Sequence, residues 1–148
     1  MNPRETPEKL KEVISKRNTS ILYEPLRNEV YYRNNNFPLD VYEKQIILPS
    51  NKKSDPFFWA KKCKNELSKF DPYILIPGTM FDLCGTRHGK GGGWYDRFLS
   101  SVPANWLRVG IAYKEQISKT KLKRKEWDQA VDWVIINNGY SWDSYEAE

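Results

Sequence analysis

Tyr73-Ile74-Leu75-Ile76 is a run of four apolar residues with no polar position, stopped by Pro77. It is too short for a stable helix, and apolar on both faces if extended, so it reads as a buried parallel strand. Three further runs repeat the pattern. Gln45-Ile46-Ile47-Leu48 ends at Pro49, Leu107-Arg108-Val109-Gly110-Ile111-Ala112-Tyr113 follows a loop, and Trp133-Val134-Ile135-Ile136 ends at Asn137-Asn138-Gly139. Ser20-Ile21-Leu22-Tyr23 is a fifth strand candidate. Helix-like segments fall between them. Thr6 and Pro7 read as the cap and first position of a short helix carrying Leu10, Val13 and Ile14, up to Arg17. Pro38 to Lys44 is a weaker helix candidate. Asp55-Pro56 starts a helix with Phe57, Phe58, Trp59, Cys63, Leu67 and Phe70 near helical spacing, and Trp94 to Leu99 forms another. Asn34-Asn35-Asn36, Ser50 to Ser54 and Pro77 to Thr86 read as loops, and the polar, aromatic tail after Gly139 has no assigned element. Strands alternating with helices predict a single α/β domain over residues 1–148, a three-layer αβα arrangement on a mainly parallel sheet.

The chain's 148 residues suffice for one such core. The net charge of +5 suits anionic ligands; nucleic acid is permitted but not required, since 24 basic residues face 19 acidic ones. No apolar run is long enough to span a bilayer, no signal peptide is expected, and two cysteines make no disulfide framework, so a reducing cytoplasm is the expected compartment. One histidine with unpaired cysteines argues against a conventional zinc site.

Beyond the loop that leaves the buried run lies the densest glycine cluster, Arg87-His88-Gly89-Lys90-Gly91-Gly92-Gly93-Trp94-Tyr95-Asp96-Arg97. Glycines let a backbone approach a ligand closely, backbone N–H groups at a helix start favour an anion, and Lys and Arg suit phosphate or carboxylate. The spacing is neither a Walker A loop nor a dinucleotide fingerprint. The expectation is a phosphate-bearing ligand held between a strand end and a helix start. Individually the residues have plain readings too. Asp96 could pair with Arg97, Asp128 could be a turn residue, Trp94 and Tyr95 could be core, and His88 reads as an exposed loop residue. The Lys119 to Lys125 run reads as solvated surface.

The longer pattern Ile76-Pro77-Gly78-x-x-Phe81-Asp82-x-x-Gly85-x-Arg87-x-Gly89-x-Gly91-x-Gly93-x-Tyr95-Asp96-Arg97-Phe98-Leu99 resembles the signature of the 5-formyltetrahydrofolate cyclo-ligase family, also called methenyltetrahydrofolate synthetases. Ile21-Leu22-Tyr23-x-Pro25-Leu26-x-Asn28-Glu29-Val30, Lys44-x-Ile46-x-Leu48-Pro49, Gly110-Ile111-Ala112-Tyr113-x-Glu115-Gln116 and Trp127-Asp128-x-x-Val131-Asp132-x-Val134-Ile135 agree in order. The resemblance covers about residues 18–137 and leaves 1–17 poorly matched. It implies an ATP-dependent ring closure of 5-formyltetrahydrofolate to 5,10-methenyltetrahydrofolate by phosphorylation of the formyl oxygen. It implies Lys90 and Arg87 as catalytic residues, and nucleotide contacts from Arg87, His88, Gly89, Lys90, Gly91, Gly92, Gly93, Trp94 and Tyr95. Folate contacts would come from Glu29, Lys90, Gly91, Gly92, Gly93 and Trp94, with a pterin stacking on Trp94 and Tyr95. Asp96 and Asp128 would hold Mg²⁺. ATP and the folate are the implied partners, with a monomer favoured.

The chain is shorter than the family's usual members. The amino-terminal basic cluster that reaches the nucleotide phosphates is reduced, with Lys9, Lys11, Lys16 and Arg17 as conceivable substitutes. The segments around Leu48 to Asp55 and before Tyr73 are also shortened, and Phe57, Phe58 and Trp59 are expected there as pocket wall or core. Two other readings stand beside the enzyme: a degenerate homologue that binds nucleotide or folate without turnover, and an interaction subunit that contacts RNA or a larger assembly.

Overall fold

In the computed structural model, which describes residues 6–33, 36–50 and 53–148, the apolar runs become the parallel strands of one six-stranded sheet. The strands are β1 (Thr19–Tyr23), β2 (Gln45–Leu48), β3 (Pro72–Pro77), β6 (Leu107–Tyr113), β7 (Trp133–Asn137) and β8 (Trp142–Glu146). A separate antiparallel hairpin pairs β4 (Met80–Phe81) with β5 (Arg87–His88). The sheet order is β2-β1-β3-β6-β7-β8, parallel up to β7, and β8 returns antiparallel beside β7. Ile21 pairs with Ile46 on one side and Ile74 on the other, so the register places apolar residues in rows across the sheet.

Alternate strand residues supply two cores. Ile21, Ile74, Ile76, Val134 and Ile136 face Ala60, Cys63 and Leu67 of the α2 region and Phe98 of α3. Leu22, Leu75, Val109, Trp133 and Ile135 face Leu10 and Ile14 of α1, with Val30, Tyr32 and Leu39 from the long β1–β2 connection. Helices α2 (Pro56–Glu66) and α3 (Trp94–Ser100) cover one face; α1 (Glu8–Ile14) and that connection cover the other. This is the expected αβα layering.

Asp55 caps α2 as expected, its side chain accepting from the Phe57 N–H at 2.9 Å, with Pro56 next. The buried stripe of this segment is Pro56, Ala60, Cys63 and Leu67 rather than its large rings. Phe57 and Phe58 are 53% and 60% exposed, and Phe70 also faces solvent, so Phe57 and Phe58 are not core, and neither lines the cavity over the glycine loop. Trp59 does pack partly against the core. Burial pushes the Cys63 thiol up to about 12, which makes it inert.

Four other expectations are corrected. Helix α1 starts at Glu8 after Pro7, without a side-chain cap from Thr6, and ends at Ile14. Residues 38–44 form no helix: the Asp40 carboxylate accepts from the Tyr42 N–H at 2.7 Å in a local turn, and Tyr42 has φ +58°. The supposed loop from Pro77 to Thr86 contains β4 and most of a hairpin turn, and the tail supplies β8. The expected Asn34 to Asn36 and Ser50 to Ser54 loops lie partly outside the described residues, as does Met1 to Glu5.

The hairpin is set against the sheet by Phe81, whose fully buried ring lies on Gly110. A Cβ at Gly110 would come within 2.4 Å of that ring. Gly110→Ala should therefore cost about 1–3 kcal/mol by overpacking, read as a lowered urea midpoint with an unchanged slope.

Candidate nucleotide and folate site

The chain runs from β1 outward to β2 at one edge, then crosses back to β3 on the other side of β1 and proceeds to β6 and β7. The loops leaving β1 and β3 thus diverge, and ligands of open parallel sheets bind in the crevice at the carboxyl ends of such a strand pair. The sequence candidates gather around this end.

Arg87 on β5 donates from Nε to the Pro77 carbonyl at the end of β3, at 2.6 Å. Its guanidinium lies 4.8 Å from the centroid of the Tyr95 ring, the geometry of a cation–π contact. Burial lowers the Arg87 pKa, and Tyr95, Asp96, Glu29 and Asp128 oppose that shift. An arginine so placed stays charged. Gly89 sits against the same group: a Cβ there would come within 3.0 Å of the guanidinium nitrogen. Gly91 and Gly93 have φ of +104° and +70°, values that favour glycine, and the Gly93 turn leads directly into α3. Arg97 donates to the Gly92 carbonyl at 2.7 Å and ties the loop to that helix.

A cavity of about 670 Å³ opens over this loop. Arg87, His88, Gly89, Lys90, Gly91, Gly92, Gly93, Trp94, Tyr95, Asp96 and Asp128 all line it. Glu29 is the one candidate outside that lining. Its carboxylate accepts from the Leu26 N–H at 2.9 Å in the loop after β1; its charge supports that of Arg87 and adds to the burial that raises the Tyr23 and Tyr95 hydroxyls. It stands on the β1 side of the crevice, Arg87 on the β3 side.

Asp96 and Asp128 come from different elements and are linked through the backbone. Asp96 accepts from the Gln129 N–H at 2.9 Å, and Asp128 from the Lys125 N–H at 2.8 Å. Each has a second carboxylate oxygen with no hydrogen-bond partner among the described residues. No group of three potential metal-ligating side chains occurs among the described residues. Two carboxylates beside a loop lined by arginine and lysine nevertheless fit Mg²⁺, which takes one or two protein carboxylates and completes its shell with water and phosphate oxygens.

The plain reading holds for the rings of Trp94 and Tyr95. Both are buried; Trp94 stacks on Phe98 at 5.6 Å and 14°, and its Nε1 donates to the Ser54 carbonyl. One face of Trp94 is therefore already covered, and Tyr95 carries Arg87. The exposed ring at the cavity is Trp127, 61% accessible. His88 is bound by its Nε2 to the Lys123 carbonyl at 2.7 Å.

The amino-terminal cations do not reach this site. Lys9 pairs with Glu146 and lies over Trp133, Lys11 pairs with Glu8, and Arg17 donates to the Asn105 carbonyl. Asn105 and Trp133 precede or open β6 and β7, and Glu146 closes the antiparallel β8, all at the sheet edge opposite the cavity. Lys123 and Lys125 line the cavity instead. The sequence signal for them was the Lys run read as surface, where lysines at 119, 121, 123 and 125 alternate as in an extended segment. Together the lining carries five cationic side chains, Arg87, Lys90, Arg97, Lys123 and Lys125, against two carboxylates, so its field favours a polyanion.

Among the described residues no helix is long and apolar enough to cross a membrane. The chain resembles known proteins in the same terms as its site. The model of the 5-formyltetrahydrofolate cyclo-ligase family matches residues 11–137. A Mycoplasma genitalium protein named 5-formyltetrahydrofolate cyclo-ligase is 30% identical over 118 residues, which is 78% of this chain and 70% of that protein. The Mycoplasma pneumoniae protein of the same name is 30% identical over 122 residues, 79% of this chain and 71% of that one. A solved structure of a 5,10-methenyltetrahydrofolate synthetase from Mycoplasma pneumoniae shares the fold, with a TM-score of 0.58 over 87% of this chain and 79% of that one, at 22% identity. An Aquifex aeolicus 5,10-methenyltetrahydrofolate synthetase shares it at a TM-score of 0.53 and 24% identity, over 97% and 86% of the two chains. From the family match and the extent of these alignments, the chain belongs to the 5-formyltetrahydrofolate cyclo-ligase family.

Proposed function

We propose that the protein is an ATP-dependent ligase that closes 5-formyltetrahydrofolate to 5,10-methenyltetrahydrofolate at this cavity. The observation that carries the reading is the convergence of Lys90, Asp96 and Asp128, from a loop, a helix and a distant turn, on one cation-rich cavity at the sheet's carboxyl edge. An interaction subunit would need neither this carboxylate pair nor the cations that share the cavity with it; turnover separates a passive nucleotide binder from the enzyme.

The chemistry is a dehydration. The γ-phosphoryl group of ATP passes to the formyl oxygen, and ADP leaves. The second folate nitrogen then bonds to the formyl carbon, the carbon–oxygen bond breaks, inorganic phosphate departs with that oxygen, and the nitrogen's proton is released. In phosphoryl transfer little covalent work falls to the protein; it positions the reactants and stabilises spread charge. Lys90, exposed on the glycine loop, and the loop's backbone N–H groups would hold the transferring phosphoryl group. Arg87, rigid between Pro77 and Tyr95, would keep a fixed positive charge beneath it. Mg²⁺ would be held by Asp96 and Asp128 and, when bound, neutralises phosphate charge. Glu29, on the β1 side, would accept from the folate.

Purified protein given 5-formyltetrahydrofolate, ATP and Mg²⁺ should develop methenyltetrahydrofolate absorbance, dependent on every component. ATP binding without any absorbance gain would instead select the degenerate, non-catalytic reading.

A further inference from the structure

The segment from Ile117 to Val131 has almost no regular structure, yet it is strapped across the β4–β5 hairpin at every few residues. Ile117 bridges Phe81, and the Ser118 N–H donates to the Phe81 carbonyl at 2.7 Å. The Leu122 N–H donates to the buried Asp82 carboxylate at 2.8 Å. Arg124 donates to the Thr86 hydroxyl and the Cys84 carbonyl, and the Lys123 carbonyl meets His88. The Lys125 N–H is held by Asp128, and the Val131 N–H by the Gly85 carbonyl. This anchoring points Lys123 and Lys125 into the same cavity as Lys90, with Trp127 beside them. No ion pair to either lysine occurs among the described residues.

Trp127 lines a second cavity as well. That space, about 420 Å³, is lined by Gly93, Asp96, Arg97, Ser100, Trp127 and Gln129, and shares Gly93, Asp96, Arg97 and Trp127 with the larger one. Its lining is less charged and offers a flat ring, a hydroxyl and a carboxamide. Lys125 Nζ stands 5.5 Å from the Trp127 centroid, over one face of the ring. So large an aromatic surface left open beside a polyanion cradle suits a stacked base.

We propose that this strap is the chain's nucleotide clamp: Lys123 and Lys125 bind the polyphosphate of a purine nucleoside triphosphate, and the open face of Trp127 stacks its base toward the smaller cavity. The clamp does locally what the amino-terminal cations, at the opposite sheet edge, cannot. The inference rests on the cyclo-ligase reading for the identity of the nucleotide as ATP.

Calorimetric titration of the full chain with Mg²⁺·ATP and with Mg²⁺·tripolyphosphate tests it. Lys123→Ala/Lys125→Ala should raise the Kd of both ligands, by about tenfold for ATP. Trp127→Ala should raise the Kd of ATP roughly tenfold and leave tripolyphosphate unchanged. Lys11→Ala/Lys16→Ala should change neither. In turnover, the first two variants should raise KM for ATP and not for the folate. Wild-type ATP affinity in the Lys123/Lys125 and Trp127 variants would overturn the clamp while leaving the cyclo-ligase reading intact. Absence of ATP binding by the wild-type chain would overturn both.

Discussion

Asp96→Asn should lower kcat by about 100-fold or more while the protein remains folded. Asparagine keeps an oxygen that can accept from the Gln129 N–H, so the contact that ties α3 to the turn before β7 survives. What disappears is the negative charge beside Asp128 in the cavity. A hard cation held by two carboxylates and phosphate oxygens loses half of its protein charge, and the transferring phosphoryl group loses the neutralisation that this cation supplies. The loss falls on the chemical step, so kcat should fall more than the KM for the folate rises. Raising Mg²⁺ should restore part of the rate. Unchanged turnover with an unchanged Mg²⁺ dependence would remove Asp96 from the reaction.

Asp82→Ala should be the most destabilising of the substitutions considered, although Asp82 does not line the cavity. Its buried carboxylate accepts from three backbone donors, the Cys84, Thr86 and Leu122 N–H groups, at 2.8–3.0 Å, and its carbonyl accepts from the Tyr145 hydroxyl at 2.9 Å. One side chain therefore fixes the hairpin turn and pins the 117–131 strap to it, while its backbone receives the last strand. Alanine leaves all three N–H groups without that acceptor. Each unsatisfied buried donor costs about 1–3 kcal/mol, and exposure of the turn relieves part, so the net loss should be about 3 kcal/mol. Thermal unfolding should move down by roughly 10 °C. Because the strap carries Lys123 and Lys125, ATP affinity should fall even below the melting range. Asp82→Asn, which keeps an acceptor oxygen, should recover part of both losses. Full stability in the alanine variant would show that the turn finds other partners.

Much of this could be read from the sequence where a local pattern decides the structure. Uniformly apolar runs such as Tyr73 to Ile76 can only be buried on both faces, so the parallel sheet followed from them. Asp55-Pro56 acts through its own backbone, and it starts α2 as expected. The part of the cavity lining from Arg87 to Arg97 was legible because its residues are contiguous in sequence, whereas Ser54, Thr79, Lys123, Lys125 and Trp127 reach it from distant segments.

The rest depended on choices that sequence spacing does not make. In the α2 segment two stripes compete, and the small residues at 60 and 63 are the ones buried, where α2 packs closely against α3, while Phe57 and Phe58 face out. Strand β8 carries Asp143, Ser144 and Glu146, and is held by its antiparallel ladder with β7 and by the buried rings of Trp142 and Tyr145, none of which gives an apolar run. Residues 38–44 have helix-like composition, but Asp40 folds them back on Tyr42, whose hydroxyl donates to the Ile14 carbonyl. Lys123 and Lys125 read as solvated charges because their direction is set by Asp82, Thr86 and His88, some 35 to 40 residues away. Trp94 lines the cavity with its ring buried, and the ring that stands open at the cavity is Trp127.

The fate of the formyl oxygen tests the central claim most directly. 5-Formyltetrahydrofolate labelled with ¹⁸O in the formyl group, turned over with unlabelled ATP in ordinary water, should yield inorganic phosphate carrying the label, one oxygen per methenyltetrahydrofolate formed. Unlabelled phosphate, or methenyltetrahydrofolate formed without stoichiometric ADP, would contradict phosphorylation of the formyl oxygen at this site.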